Sequence, residues 1–263
     1  MVVFGPLMGT EKAAYFLAGC IPPLMVLGLY RLAKALHGHV PAATYVALSL
    51  VWSFTFNHGF VNYWLGIALV FHVVAGWVGM RDGPALARHI YAFAMGLLVW
   101  LCHTSAWGVL GLIVAGLEYV RRTSLRGFIG NMLPWASPTI PMMVWRVTKG
   151  GGVLFEKWLP MEKIYGIPNL LRAEWQIFDN ASITLLLMVT VWLHVDKRFS
   201  RNAGMRVAAL ALLVTALVLP ALVLSSYFAD VRLYAPMLMV ALLAISGLPK
   251  REAALVGLAG ASL

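Results

Sequence analysis

The basic residues of this chain stand in clusters that alternate with its apolar runs, and this alternation restricts the folds open to it. Rich clusters fill every second gap between the runs, and the other gaps hold few Lys or Arg residues apart from one long polar loop. Because Lys and Arg concentrate in the cytoplasmic loops of membrane proteins, the rhythm predicts a chain that crosses a bilayer repeatedly. The rich clusters are Arg31 and Lys34; Arg81 and Arg88; Arg121, Arg122 and Arg126; Lys197, Arg198, Arg201 and Arg206; and Lys250 and Arg251.

Composition agrees with a lipid environment and argues against a soluble domain. Hydrophobic residues make up 61% of the 263 positions and charged residues only 11%, whereas a soluble domain has about 25% charged residues. The net charge of +10 falls almost wholly on the predicted cytoplasmic side. That side holds 13 Lys or Arg and 4 acidic residues, a net of +9, and the other side holds 7 and 6, a net of +1. Membrane orientation therefore explains the charge, and nucleic acid is not predicted as a partner.

The hydropathy pattern predicts nine spans in an all-α, polytopic integral membrane helical bundle, with 1–263 as a single transmembrane domain. Helices are expected because an open strand leaves its backbone polar groups unsatisfied in lipid. The apolar stretch 89–120 would be about 48 Å long as one helix, so we divide it at His103. Residues 252–263 are expected to begin a tenth span. The predicted spans are 13–31, 41–57, 62–80, 85–103, 104–121, 128–146, 181–195, 206–225 and 233–248.

This topology places the N-terminus outside and leaves residues 147–180 as a long outer-face loop. We expect the membrane to be the cytoplasmic (inner) membrane of a bacterium. Apolar and charged residues alternate in the loop, which predicts one or two short amphipathic helices lying in the membrane interface. The loop either caps a site that opens toward the membrane surface or is a plain connector. Three prolines in the sixth span, at 134, 138 and 141, predict an irregular or re-entrant segment.

Polar residues gather at the predicted outer ends of several helices and form the candidate substrate site. Cations with interspersed His, Asn and Asp suit a phosphate-bearing ligand, because Arg and Lys bind phosphate oxygens through charge-assisted hydrogen bonds. The alternative is that polar residues simply collect where helices leave the membrane. Asp230 and Arg232 either form a local ion pair or act together, with Arg232 binding an anion that Asp230 orients. The candidates are His58, Asn62, His103, Arg146, Lys157, Asp230 and Arg232.

Two runs, FNHGFVNYWLGIAL and LLVWLCHTSAWGVLGLIVAGLEYVRR, together with the late Asp230-Val231-Arg232, resemble bacterial multispanning glycosyltransferases of the GT-C type. Many members of that family have a GF-x-N-aromatic-x-x-G span followed by a span that ends in His. The resemblance covers about residues 11–250. It implies a membrane enzyme that transfers a sugar from a polyprenyl-phosphate donor to an acceptor at the outer face.

The chain departs from the GT-C pattern at its start. Those enzymes carry their catalytic carboxylate in the first outer loop, after an initial span, but no span precedes Glu11. We therefore assign no catalytic residue. Either an N-terminal helix and its acidic loop are missing from this chain, or the chain is a degenerate, non-catalytic relative of that family.

Two other classes of function stay open: a transporter or flippase for a lipid or small solute, and a non-catalytic subunit of a membrane complex. No cofactor is evident, and no motif supports a divalent metal. The oligomeric state is not predicted.

Overall fold

A computed structural model describes residues 9–149, 155–171, 175–223 and 226–247. The described part is mostly helical, which confirms the all-α class. The α-helices are α1 Thr10–His37, α2 Ala42–Ala47, α3 Phe54–Asn57, α4 Val61–Gly79, α5 Ala85–Cys102, α6 Thr104–Arg121, α7 Leu125–Met132, α8 Thr139–Lys149, α9 Pro160–Gly166, α10 Gln176–Val195, α11 Ala203–Val218 and α12 Tyr234–Leu243. The 3₁₀ helices are Leu48–Trp52, Leu133–Ala136, Pro168–Leu171 and Val231–Leu233. The strands are β1 Phe155–Glu156, β2 Ser200–Arg201, β3 Leu222–Val223 and β4 Ile245–Gly247.

Four helices of the described chain are long and apolar enough to cross a membrane, namely α1, α4, α5 and α10. They correspond to the first, third, fourth and seventh of the nine predicted spans. The others are shorter, divided or more polar. Helix α6 has 18 residues but carries Glu118 and Arg121, and α11 is an apolar helix of 16 residues. The predicted tenth span, 252–263, lies outside the described residues.

Two predicted spans are divided into short helices. Residues 41–57 form α2, a 3₁₀ helix and α3 in succession. In 128–146, a 3₁₀ helix with Pro134 in its first turn separates α7 from α8. Since proline has no backbone N–H, it interrupts the α-helical hydrogen bonds at this point. The predicted irregularity of this segment is confirmed.

The prediction that every span is wholly helical is wrong at two ends. Helix α11 stops at Val218, because the residue before Pro220 is forced into an extended conformation. The following residues form β3, which pairs antiparallel with β1. After α12 ends, β4 pairs antiparallel with β2. These two-stranded sheets satisfy backbone groups where the helices end.

Helix α4 is the centre of the bundle. It is apolar around its whole circumference and packs against α1, α5 and α6, as expected for a helix buried by its neighbours. By contrast, α5 turns large apolar side chains outward, with Leu86 and Leu101 each 72% exposed. An exposed apolar surface of this kind is typical of contact with lipid.

Contacts between distant segments join groups that the sequence assigns to the same side of the membrane. At the predicted outer side, the Tyr63 hydroxyl donates to the carbonyl of Arg232 at 2.9 Å. At the predicted inner side, Nε2 of His37 donates to the carbonyl of Leu243 at 2.9 Å. The backbone N–H of Asn202 donates to the carbonyl of Ala244 at 2.7 Å. These three contacts agree with a bundle whose helices run between two polar ends.

The predicted break at His103 is confirmed. Helix α5 ends at Cys102 and α6 begins at Thr104, and His103 between them is extended. Its Nδ1 accepts a hydrogen bond from the backbone N–H of Ser105 at 3.1 Å. The imidazole thus caps the N-terminus of α6, the role that a polar side chain plays at this position.

Helices α6 and α11 pack so closely that their contact requires glycine. A Cβ on Gly116 would lie 2.7 Å from the backbone of Gly204 and of Ala208. We expect Gly116→Ala to destabilise the protein by about 1–3 kcal/mol, because overpacking forces the two backbones apart. The matched control is Gly111→Ala in the same helix, where a Cβ meets nothing within 4 Å.

This control should be neutral or stabilise by up to about 1 kcal/mol, since alanine favours helix more than glycine does. Thermal unfolding of the full chain in detergent measures both variants. Equal melting temperatures for the two would contradict the close α6–α11 contact.

Candidate functional site

A buried ion pair anchors the long loop, which the sequence predicts at the outer face, to the bundle. Nζ of Lys163 in α9 lies 2.7 Å from Oδ2 of Asp230, and the two side chains are 5% and 0% exposed. Lys163 also donates to the carbonyls of Ala216 and Leu219, at the C-terminal end of α11. A cation at that position satisfies carbonyls that the helix leaves unpaired. One lysine thus ties the loop, the end of α11 and the Asp230 turn together.

The same turn is fixed from both sides. Oδ1 of Asp230 accepts from the backbone N–H of Val231 at 2.9 Å and caps the 3₁₀ helix Val231–Leu233. The Tyr234 hydroxyl donates to the carbonyl of Lys163 at 3.1 Å. Gly166 closes the contact, since a Cβ there would lie 2.7 Å from the Val231 side chain. Because Asp230 pairs with Lys163, the predicted local ion pair between Asp230 and Arg232 is not formed.

Arg232 follows this anchored turn and is 4% exposed. Its Nη1 donates to Oγ of Ser226 at 3.0 Å, and its Nη2 donates to the carbonyl of Tyr227. The guanidinium carbon lies 3.8 Å from the centre of the Phe60 ring. Within the described residues, no carboxylate lies at ion-pair distance from Arg232, and its Nε has no hydrogen-bond partner. A buried cation of this kind lacks the counter-ion that normally offsets its desolvation.

His103 faces Arg232 with a hydrogen-bond donor of its own. Its Nδ1 accepts from Ser105 and therefore carries no proton, so the N–H of the neutral ring is on Nε2. That Nε2 lies 3.3 Å from Nη1 of Arg232, which is also a donor. Two donors cannot satisfy each other. An oxyanion placed between them would accept from both.

The charge state of His103 fits this geometry. Burial, and to a smaller extent the charge of Arg232, lower the pKa of His103 to about 4. The imidazole is therefore neutral near pH 7 and leaves Arg232 as the positive charge at this point. An anion beside both groups would stabilise the imidazolium form and raise that pKa.

An aromatic cluster lies next to Arg232. The His58 ring stacks on Phe54 at 4.6 Å between ring centres and meets Phe228 edge-on at 5.8 Å. Phe228 also meets Phe60 at 6.3 Å and holds a positive φ of 59°. A non-glycine residue in that region costs about 1–3 kcal/mol and persists only where its surroundings fix it. The rings of His58 and Phe60 are among the surroundings that hold Phe228 in this conformation.

The structure brings together part of the predicted site. His103 and Arg232 are in contact, Asp230 is in the adjacent anchored turn, and His58 belongs to the aromatic cluster. Asn62 and Lys157 are exposed, and neither takes part in the hydrogen bonds or the ring contacts of Arg232 described above.

Lys157 contributes to the fold through its backbone carbonyl, which accepts from the N–H of Ala221 at 2.9 Å. The side chain of Arg146 lies outside the described residues, so its predicted role stays a prediction.

Sequence reasoning missed Lys163 as the partner of Asp230, and also Ser226, Tyr227 and Phe60 as the surroundings of Arg232. One signal was available for Lys163, because a lone buried aspartate at a helix end needs a cation and the outer loop supplies several. The backbone carbonyl of Tyr227 leaves no signal in sequence, since any residue has one.

Within the described residues, no group of three or more His, Cys, Asp or Glu side chains is placed to hold a metal ion. Comparison of the chain with protein-family models, curated proteins and solved structures gives no match. Its function is therefore inferred from the geometry of the site.

The Lys163–Asp230 pair gives a stability prediction. Lys163→Met should destabilise the protein by about 3–5 kcal/mol, because it leaves Asp230 charged, buried and unpaired. The double variant Lys163→Met with Asp230→Asn should lose less, since the new amide keeps an acceptor for the Val231 N–H and carries no charge. Lys12→Met, at an exposed position, is the matched control and should change stability by no more than about 0.5 kcal/mol. Thermal unfolding in detergent measures all three, and a double variant less stable than Lys163→Met would contradict the pairing.

Proposed function

We propose that this chain is a multi-pass protein of the bacterial inner membrane, with about nine spans and its N-terminus outside. Four apolar helices of spanning length support the membrane part of this proposal. The basic clusters and the sorting of contacts into two polar ends support the number of crossings and the orientation. The shorter helices α2, α3, α7, α8, α11 and α12 would complete the crossings as paired or broken segments, packed within the bundle.

The site at the predicted outer face binds a phosphate-bearing lipid in this proposal. The opposed N–H donors of His103 and Arg232 carry the argument, because they call for an acceptor with negative charge and none of the described residues supplies it. A phosphate oxygen has that charge and can accept from both donors. The site's position at the predicted membrane surface favours a lipid-linked phosphate, whose hydrocarbon part would stay in the bilayer.

The reaction we propose is the GT-C-like transfer of a sugar from a polyprenyl-phosphate donor to an acceptor hydroxyl. The bond between the sugar's anomeric carbon and the phosphate oxygen breaks, and the acceptor oxygen bonds to that carbon after losing its proton to a base. Arg232 would stabilise the charge that develops on the departing phosphate. The role of base is assigned to no residue here.

A second candidate is a transporter or flippase that uses the same phosphate site without chemistry. One observation favours it. Asp230, the carboxylate nearest Arg232 in sequence, is engaged by Lys163, and the described residues place no other carboxylate beside the guanidinium. A binding site needs no base, whereas a transferase does.

Binding of polyprenyl phosphate to the full chain in detergent tests the shared part of both candidates. Arg232→Gln should weaken binding at least about tenfold, because it removes a charge-assisted hydrogen bond worth about 1.5–3 kcal/mol. Arg232→Lys should retain part of the affinity, since it keeps the charge but not the planar fork. Arg126→Gln, at an exposed position on the predicted inner side, is the matched control and should bind as the wild type does.

If Arg232→Gln binds polyprenyl phosphate as tightly as the wild type does, the proposed phosphate site is wrong. If binding is lost as expected, sugar transfer from a polyprenyl-phosphate sugar to water or to an acceptor separates the transferase from the transporter. Turnover by the wild type that Arg232→Gln abolishes supports the transferase. Tight binding without turnover, together with phosphate-lipid movement across proteoliposomes, supports the flippase.

A further inference from the structure

A cleft of about 180 Å³ opens beside the aromatic cluster; Phe228 lines it, and Arg232 does not. It lies between α3, α9, the 3₁₀ helix Pro168–Leu171 and the turn that precedes Arg232. The cleft reaches the surface at Tyr165, whose side chain is 58% exposed. This volume has room for several water molecules and therefore for a small polar headgroup. The residues that line it are Phe54, Thr55, Glu162, Tyr165, Gly166, Asn169, Leu170, Phe228 and Val231.

Glu162 is the one carboxylate among these lining residues. It adjoins Lys163 in α9, but Lys163 points into the bundle toward Asp230 and leaves Glu162 to the cleft. Oε1 of Glu162 accepts from the Tyr227 hydroxyl at 3.1 Å. Its Oε2 is shielded from water and has no hydrogen-bond partner within the described chain. An unsatisfied carboxylate oxygen in such a position is costly unless a donor or a cation reaches it.

The walls of the cleft suit a cation better than any other partner for Glu162. Phe54 and Phe228 line it and meet edge-on at 6.5 Å between ring centres, and Tyr165 lies at its opening. Aromatic rings attract cations through their negative faces, and a carboxylate among such rings adds a full opposite charge. No Lys or Arg is among the lining residues. The cleft therefore has one negative charge, aromatic walls and room for a small group.

We propose that this cleft binds the ammonium group of a small organic amine, which pairs with Glu162 while its carbon atoms contact Phe54 and Phe228. The amine is either a soluble molecule or the headgroup of a lipid, since both present the same ammonium chemistry. This site is separate from the phosphate site and does not rest on it. The amine would be a second ligand at the predicted outer face, in addition to the phosphate-bearing lipid proposed at His103 and Arg232.

The test uses the full-length protein in dodecyl maltoside with ethanolamine as the probe, and sodium chloride at the same ionic strength as the reference. A ligand at concentration L that binds only the folded state stabilises it by RT ln(1 + L/Kd), so the melting temperature begins to rise once the ligand concentration approaches Kd. The wild type should show a rise with ethanolamine beyond that with sodium. Glu162→Gln should need at least about tenfold more ethanolamine for the same rise, because it removes the charge that pairs with the ammonium. Glu11→Gln, at an exposed position, is the matched control and should respond as the wild type does.

A second variant covers the case in which Glu162→Gln does not fold. Phe54→Leu keeps the carboxylate and removes one aromatic wall, and it should weaken ethanolamine binding severalfold. If Glu162→Gln folds and binds ethanolamine as tightly as the wild type, the proposal is overturned. If only Phe54→Leu folds, wild-type affinity in that variant overturns it. Arg232→Gln should keep the ethanolamine response, so failure of the phosphate site and failure of this one give different results.

Nanodiscs identify the source of the amine. If the ligand is a lipid headgroup, phosphatidylethanolamine nanodiscs should raise the melting temperature above that in phosphatidylglycerol nanodiscs, and only in chains that retain Glu162. If the ligand is a soluble amine, added ethanolamine should act equally in both. No response to either form of the amine in detergent and in both nanodiscs contradicts the site.

Discussion

The predicted outer end of this molecule depends on one buried ion pair. Lys163 and Asp230 are far apart in sequence, and their contact fixes the amphipathic loop over the ends of the helices. Removing two charges from water is expensive, and it is offset here because both groups make further hydrogen bonds: Lys163 to two carbonyls at the end of α11, and Asp230 to the N–H of Val231. The ion pair therefore fixes the turn that follows Asp230, and this turn sets the position of Arg232.

The anchored turn leaves a cation where the described residues around it offer no counter-charge. Arg232 is stacked on Phe60 and bonded to neutral groups, and His103 presents a second donor toward it. His103 takes this orientation because its Nδ1 caps α6. The same residue therefore lies at the break between α5 and α6 and presents its Nε2 to Arg232. The cleft beside Phe228 is lined by Glu162 and not by Arg232, so the carboxylate and the guanidinium belong to two separate sites.

Charge rhythm and hydropathy predicted two features that the structure bears out, the all-α class and the break at His103. The sides of the membrane to which the loops belong stay a prediction. These patterns did not predict where helices stop, because a proline at 220 and sheet pairing after 243 decide that locally. Within the site, the D-x-R pattern drew attention to Asp230 and Arg232 and left open whether they pair with each other or act together on an anion. Asp230 pairs with Lys163, and Arg232 lies against His103. Both partners come from distant segments, so local sequence alone does not predict these contacts.

The phosphate site that we propose requires His103 and Arg232 to present two N–H donors to a single anion. Nitrogen-15 NMR of histidine-labelled protein, with the His103 signal assigned by its loss in His103→Asn, measures this directly. We predict that near pH 7 the ring is neutral with its proton on Nε2, that it titrates with a pKa of about 4, and that polyprenyl phosphate raises that pKa. A proton on Nδ1 instead, or a pKa that the phosphate lipid leaves unchanged, would contradict the account.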